Sequence, residues 1–250
     1  VYKRQHHMLY DMCLPSWLTR PIPGVPMSFS NSPGASEDYA ERVARHVPGL
    51  RDLHRMVGLL MAEHVPDNGR ILVLGAGGGL ELKALADTRP GWQLDGVDPS
   101  AEMLRQATDT LGAQAPRATL HQGYIDDAPD GPFDGATCLL TLHFLPHEER
   151  LRTVREVARR LKPGAPFIVA HHSFPLDRQD AWLARNAAFV VAAGVPAEQA
   201  QNSIRTMKEK LPVLPPATDE AVLHDAGFTD IELFYAAFTF KGWVCRRAGI

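Results

Sequence analysis

Three glycines and one aspartate have the spacing of a nucleoside-binding site. Gly75, Gly77 and Gly79 follow a short apolar run. Asp98 stands about 20 residues further on, at the end of a second apolar segment. Glycines let the backbone turn sharply and let a ligand approach the main chain. A carboxylate at that distance can accept hydrogen bonds from both ribose hydroxyls, so the arrangement predicts a nucleoside site.

The spacing of the glycines narrows the class of ligand. Segment 75–79 follows a GxGxG pattern, and Leu80 occupies the place where the third glycine of a GxGxxG dinucleotide site would stand beside a pyrophosphate. The pattern therefore favours a nucleoside without phosphates. It disfavours a nicotinamide dehydrogenase, and no hydride-transfer motif accompanies it.

The surrounding sequence alternates between apolar strands and helical segments. Segment 71–74 is apolar without polar alternation, as expected of a strand covered on both faces, and helical spacing resumes at Leu80. Further strands are predicted at 92–97, 119–121, 133–140 and 166–170, and a final strand pair at 231–235 and 238–244. Ligands of open parallel sheets lie beyond the carboxyl ends of the strands. The glycine turn, Asp98 and the segments 124–126 and 139–143 are therefore expected around one crevice.

Three successive segments resemble the motifs of class I S-adenosylmethionine-dependent methyltransferases, in the family's order. They are VLGAGGG at 73–79, GVDPSAEML at 96–104, and FD at 133–134 leading to LHFLP at 142–146. The resemblance covers roughly residues 40 to 250. It implies an α/β fold: a doubly wound, Rossmann-like seven-stranded sheet with a terminal antiparallel strand and helices on both faces. It also implies S-adenosylmethionine (SAM) as the cofactor and methyl transfer as the reaction.

The resemblance further implies a set of cofactor-binding residues. They are Gly75, Ala76, Gly77, Gly79, Asp98, Pro99, Met103, Tyr124, Ile125, Asp126 and Leu139. In the family, the loop after the third strand holds the adenine through a backbone N–H and often an acid. Tyr124 takes the usual acid position here, Ile125 is expected to supply the backbone contact and an apolar wall, and Asp126 is the nearest carboxylate. Asp126 is equally consistent with a solvated loop acid or a helix cap.

One departure from the family concerns the amino group of the cofactor. The family usually carries an acidic residue two positions before the first glycine, and Val73 stands at that position here. Backbone carbonyls or other side chains must then orient the amino group.

Methyl transfer from a sulfonium is an in-line displacement, so the enzyme mainly supplies position, orientation and exclusion of water. A general base is needed only if the acceptor must lose a proton. The candidates near the expected methyl position are His143, His171, His172 and Tyr235. Each is also consistent with a residue that only lines the pocket. The two adjacent histidines have no third ligand at a suitable spacing, so no metal is predicted.

Several segments are similar to the carboxy-SAM synthase branch of the family, whose members act in tRNA wobble-uridine modification. They are 47–50, 140–146, 227–228 and 238–240. That branch binds the extra carboxylate with an arginine in the insertion. The matching position here is Ile204, with Arg205 one residue on. One residue turns a helical side chain by about 100°, so the resemblance carries over the fold and the cofactor class but not the carboxy-SAM activity.

The chain is expected to form a single SAM-binding domain over residues 37–250, after a flexible leader at 1–36. Residues 1–26 are interpreted as non-native sequence. Helices at 37–66 and a helical insertion at 177–216 are expected to cap the acceptor site.

Composition and charge limit the remaining classes. Hydrophobic residues make up 45% of the chain, enough for a core, and the net charge of −3 argues against a general nucleic-acid surface. No apolar run has the length of a membrane span, and three widely separated cysteines fit a reducing compartment. We expect a cytoplasmic methyltransferase with a small-molecule acceptor and no membrane partner; a homodimer is compatible with the sequence. A carboxy-SAM synthase-like enzyme and a non-catalytic SAM-binding module stay open as alternatives.

Overall fold

A seven-stranded sheet lies at the centre of residues 35–249, the part of the chain that the computed structural model describes. Its spatial order is β3-β2-β1-β4-β5-β7-β6. The strands are β1 (Arg70–Leu74), β2 (Gln93–Asp98), β3 (Ala118–Gln122), β4 (Gly135–Leu139), β5 (Pro166–His172), β6 (Phe228–Ala237) and β7 (Phe240–Arg247). Strands β1 to β5 pair in parallel, and β7 is antiparallel to both of its neighbours. The predicted α/β fold with its terminal antiparallel strand is confirmed.

Helices cover both faces of this sheet. They are α1 (Ala35–His46), α2 (Leu50–Ala62), α3 (Leu80–Thr88), α4 (Ala101–Leu111), α5 (His147–Arg160), α6 (Gln179–Ala192), α7 (Ala197–Lys210) and α8 (Pro216–Asp225). Helices α1 to α4 share a core with one face of the sheet, and α5 and α8 share a core with the other. No helix among the described residues is both long and apolar enough to cross a membrane.

The apolar run of β1 shows why the strand is buried on both faces. Ile71 and Val73 pack into the core beneath α1 to α4, whereas Leu72 and Leu74 pack into the core beneath α5 and α8. Successive side chains of a strand point to opposite faces, so a strand between two helical layers needs apolar residues at every position.

The predicted insertion forms two helices, α6 and α7, after β5. These helices build two small cores of their own, one around Leu183 and Met207 and the other around Ala187 and Val190. The insertion is therefore a helical layer beside the carboxyl end of β5. The leader predicted at residues 1–36 lies almost wholly outside the described residues; α1 begins at Ala35.

Candidate active site

The glycine loop after β1 has a backbone that side chains would obstruct. Gly75 has φ of 80°, and a Cβ there would lie 2.1 Å from the hydroxyl oxygen of Thr141. Gly79 has φ of 84°, and its Cβ would lie 2.7 Å from the Cα of Ala107 in α4. Gly75 thus lets the loop approach the segment after β4, and Gly79 lets α3 pack against α4. A Cβ on Gly78 would collide with the Tyr39 ring of α1, so α1 covers the loop from above.

Asp98 ties this loop to the carboxyl end of β2. Its Oδ2 accepts the N–H of Gly77 at 2.9 Å, and its Oδ1 accepts the N–H of Ser100 at 2.9 Å. The side chain of Ser100 in turn accepts the N–H of Met103 and caps α4. Asp98 is 3% exposed, so these hydrogen bonds to the loop are buried.

A cleft of about 160 Å³ runs along the glycine loop towards the segment after β4. The predicted site residues that line it are Gly75, Ala76, Gly77, Met103, Leu139 and His143. His172, a candidate from the sequence, also lines it. Gly79, Asp98 and Pro99 border the same loops but do not line the cleft.

The predicted adenine loop follows β3 and lies beside Asp98, because the Gly123 N–H donates to the Asp98 carbonyl at 3.1 Å. Ile125 is 1% exposed and packs into the core. Asp126 is exposed and forms an ion pair with Arg152 at 2.9 Å. A different acid, Asp127, accepts the Tyr124 N–H and caps the turn. Asp126 is an exposed loop acid, and the capping role belongs to Asp127. Tyr124, Ile125 and Asp126 do not line the cleft, so their contact with adenine stays a prediction.

Two histidines face each other at the far end of the cleft. The rings of His143 and His172 lie 4.8 Å apart, and the His172 N–H donates to His143 Nδ1 at 3.4 Å. His172 Nδ1 is 2.9 Å from the hydroxyl of Thr239. Burial, and then the neighbouring histidines and Arg150, lower the pKa of His143 well below its ordinary value. Burial and His171 lower the pKa of His172 to about 3. Both rings are therefore neutral at pH 7.

His171 lies on the opposite face of the sheet from the cleft, although the sequence made it a catalytic candidate. Strand alternation sends His172 to the cleft side and His171 to the other side. There His171 Nε2 lies 3.3 Å from Asp219, which is also paired with the buried Arg150. Burial raises the pKa of Asp219, but His171 and Arg150 outweigh it and hold the pKa below its ordinary value.

Tyr235, the last of the four catalytic candidates, does not line the cleft either. Its hydroxyl donates to the Pro48 carbonyl at 2.6 Å and so ties β6 to the turn between α1 and α2. Burial raises its pKa. Tyr235 therefore forms a structural hydrogen bond and does not lie at the expected position near the methyl group.

A second, smaller cavity lies between the inserted helices and adjoins the cleft, because His172 and Phe240 line both spaces. Ile204, the position matched to the carboxylate-binding arginine, lines this cavity. Arg205 is exposed and donates to Asn202 at 3.1 Å. The guanidinium is thus turned away from the cavity, as the one-residue offset predicts.

Two titratable residues of the cleft were missed in the sequence. Glu81 is 6% exposed in the first turn of α3, and burial raises its pKa to about 8. His54 projects from α2, and burial lowers its pKa to about 4. The signal for Glu81 was an acid at a position flanked by Leu80 and Leu82 beside the glycines.

Comparison with known proteins agrees with this geometry. Residues 71–164 match the family model described as a methyltransferase domain. The carboxy-S-adenosyl-L-methionine synthase of Chromohalobacter salexigens is 28% identical over 217 residues, which cover 84% of this chain and 80% of that protein. The solved SAM-dependent methyltransferase SibL, in its apo form, superimposes with a TM-score of 0.58 at 18% identity, over 91% of this chain and 60% of SibL.

A second solved relative is human N-acetylserotonin methyltransferase in complex with SAM, with a TM-score of 0.56 and 16% identity. The match covers 86% of this chain and 58% of the human protein. The chain thus spans less than two thirds of either solved relative. The match to a methyltransferase domain over residues 71–164, the curated relatives and the fold agree in supporting a class I SAM-dependent methyltransferase that uses SAM. Within that class, the chain is similar to the carboxy-SAM synthase branch.

Proposed function

We propose that this protein transfers the methyl group of SAM to a small, mainly apolar acceptor that carries a hydroxyl or an amino group. The observation that carries the proposal is that two spaces adjoin each other. His172 and Phe240 line both the cleft beside the glycine loop and the cavity between α6 and α7. A donor in the first space and an acceptor in the second would meet at His172.

In this proposal the cofactor follows the loops at the carboxyl ends of β1, β2 and β3. A carboxylate offers about four lone-pair positions. Asp98 accepts two backbone N–H groups at the carboxyl end of β2, and in this proposal the same carboxylate also accepts from the ribose hydroxyls. The 124–126 loop flanks the adenine, and Met103 packs against the cofactor from α4. His143, which lines the cleft, would lie on the same side of the sheet as the methyl group that SAM would supply.

The lining of the second cavity supports the acceptor class. Most of its wall is apolar, from Leu183, Ala187, Val190 and Ile204, among others. His46 also lines it, and its Nδ1 must donate to the Arg42 carbonyl at 2.9 Å, which leaves Nε2 as an acceptor. That atom and Asn186 Oδ1 are buried without a hydrogen-bond partner in residues 35–249. Buried acceptors of this kind are satisfied by hydroxyl or amine donors of a ligand.

The chemistry asks little of the protein beyond position. The acceptor oxygen or nitrogen would attack the methyl carbon as the carbon–sulfur bond breaks, S-adenosylhomocysteine would leave, and the proton of the acceptor would pass to solvent. Residues of α1 and α2 line the cleft and those of α6 and α7 line the second cavity, so these walls would shield the reacting atoms from part of the solvent. His172 is neutral and orients the acceptor through a hydrogen bond. The negative net charge supports a small acceptor over a nucleic acid.

A second candidate function is synthesis of carboxy-SAM, which the relatives at up to 28% identity favour. Against it stands the uncharged cavity wall at Ile204. A non-catalytic SAM-binding module would require no acceptor cavity.

The test is methyl transfer from labelled SAM to a panel of phenols, alcohols and amines. The matched variants are Ala187→Phe, which fills the second cavity, and Ala188→Phe, which adds the same bulk to the exposed face of α6. We expect acceptor-dependent S-adenosylhomocysteine, a KM for the acceptor at least about tenfold higher in Ala187→Phe, and normal turnover in Ala188→Phe. Formation of carboxy-SAM without a methylated acceptor would favour the second candidate, and no turnover on any member of the panel would contradict the proposal.

A further inference from the structure

The ammonium group of SAM lacks its usual partner in this chain. Val73, at the position where the family usually carries an acid, is a fully buried apolar residue. It packs into the core beneath α1 to α4. An ammonium held in a closed cleft without an opposite charge would lose its hydration without compensation. Another hydrogen-bond acceptor must therefore contact the ammonium group.

Glu81 is the carboxylate that reaches it. The register of the sheet pairs Val73 of β1 with Thr137 of β4, so these two side chains share a face. The Thr137 hydroxyl lowers the pKa of Glu81 against the larger effect of burial, so the two side chains are near each other although they form no hydrogen bond. Glu81 projects from the first turn of α3. Its carboxyl group therefore lies close to the place that the carboxyl group of an acid at position 73 would occupy.

The state of Glu81 indicates a missing ligand. The residue is 6% exposed and lines the cleft together with Gly75 and Gly77. Its Oε1 is buried and makes no hydrogen bond within the described part of the chain. A buried carboxyl oxygen without a partner costs free energy, and a cation or donor in the cleft would recover it.

We propose that Glu81 binds the ammonium group of SAM in place of the acid that Val73 replaces. The inference rests on the proposed use of SAM as methyl donor. Burial raises the pKa of Glu81 to about 8, and an ammonium against the carboxyl would favour its ionised form. A charge-assisted hydrogen bond then fixes the amino-acid end of the cofactor, and with it the direction of the sulfonium.

The experiment compares two ligands by calorimetry. S-adenosylhomocysteine carries the ammonium group, whereas 5′-methylthioadenosine shares the adenosine and the thioether but lacks the amino-acid part. Glu81→Gln keeps the size of the side chain and removes its charge. Asp87→Asn makes the same change on the exposed side of α3 and serves as the control.

Glu81→Gln is expected to bind S-adenosylhomocysteine at least about tenfold more weakly than the wild type and to bind 5′-methylthioadenosine equally well. Asp87→Asn is expected to match the wild type with both ligands. An equal loss for both ligands, or no loss, would overturn the role of Glu81. A wild type that binds neither ligand would instead overturn the proposed function. Glu81→Leu, which suits the apolar surroundings, provides a second folded variant with the same expected pattern.

Discussion

Asp98 accepts the N–H of Gly77 at 2.9 Å, so a single carboxylate joins the glycine loop to the carboxyl end of β2. Its second oxygen accepts the N–H of Ser100 at the start of α4. The loop is therefore held in shape before any ligand arrives. Preorganisation of this kind lowers the cost of binding, because the backbone need not be ordered by the cofactor.

The first prediction concerns this carboxylate. Asp98→Asn keeps the shape of the side chain but offers only one oxygen to the two backbone N–H groups and the ribose. We expect its affinity for SAM, measured by calorimetry, to fall at least about tenfold. Asp109→Asn, an exposed position of α4, is the control and should bind as the wild type does. Equal affinity in Asp98→Asn would remove Asp98 from the cofactor site.

The second prediction separates the two neighbouring histidines. His172→Ala removes the ring at the junction of the two cavities and should lower kcat/KM for the acceptor at least about tenfold with little change in SAM affinity. His171→Ala removes a contact with Asp219 on the other face and should lower the melting temperature. Steady-state kinetics and thermal unfolding of both variants check this. If His171→Ala lowered kcat/KM and His172→Ala lowered only the melting temperature, the reactive end of the site would lie on the His171 face of the sheet, which would contradict this account.

The third prediction concerns the buried ion pair of Arg150 and Asp219. Arg150 also donates to the carbonyls of Leu145 and Pro212, so it joins the segment after β4 to the end of the insertion. Asp219→Ala leaves a guanidinium buried without its partner, and we expect a loss of about 3–5 kcal/mol in the free energy of unfolding. Arg152→Ala removes an exposed ion pair with Asp126 and should cost no more than about 1 kcal/mol. Similar losses in urea unfolding of both variants would contradict this difference.

The fourth prediction is a pH dependence of stability. The folded protein keeps His54 and His172 neutral down to about pH 4 and 3, whereas unfolded histidines bind a proton near pH 6.5. Below pH 6.5 the unfolded chain therefore binds more protons, and these sites reduce the free energy of unfolding as the pH falls towards 4. Each contributes at most about 1.4 kcal/mol per pH unit.

Urea unfolding at pH 7 and pH 5 measures this slope. His54→Leu should lose less stability between the two pH values than the wild type does, and the exposed His224→Gln should lose as much. If His54→Leu keeps the full slope, the histidine of the folded protein titrates normally.

The fifth prediction distinguishes the two enzymatic candidates. Ile204→Arg places a cation in the second cavity and should raise the affinity for carboxy-SAM relative to SAM, because a guanidinium binds a carboxylate with paired hydrogen bonds. Arg205→Ala should change neither affinity, since this side chain is exposed. A wild type that prefers carboxy-SAM, with the preference lost in Arg205→Ala, would support the synthase alternative.

Local patterns were sufficient for most of the fold. The helical insertion predicted at 177–216 is observed as two helices, Gln179–Ala192 and Ala197–Lys210. The strand, glycine turn and helix around Gly75 also lie where the apolar run and the glycines predict them. These features depend on the spacing of apolar residues and glycines along the chain, which the sequence shows directly.

The side-chain roles at the site were less accessible to the sequence. The choice between His171 and His172 depends on which face of β5 meets the cleft, and this is set by the partner helices. Tyr235 is fixed by a carbonyl almost the whole domain away in sequence, at Pro48. Glu81 gains its place only through the pairing of β1 with β4. Each role arises from contacts between distant segments, which spacing alone does not record.

Calorimetry of the purified protein with SAM, S-adenosylhomocysteine, carboxy-SAM and NAD tests the central claim most directly. The geometry of the glycine loop and Asp98 predicts binding of SAM and S-adenosylhomocysteine, and no measurable binding of NAD. Binding of NAD without binding of SAM would mean that the loop accepts a pyrophosphate, and it would contradict the assignment of a methyl-transfer site.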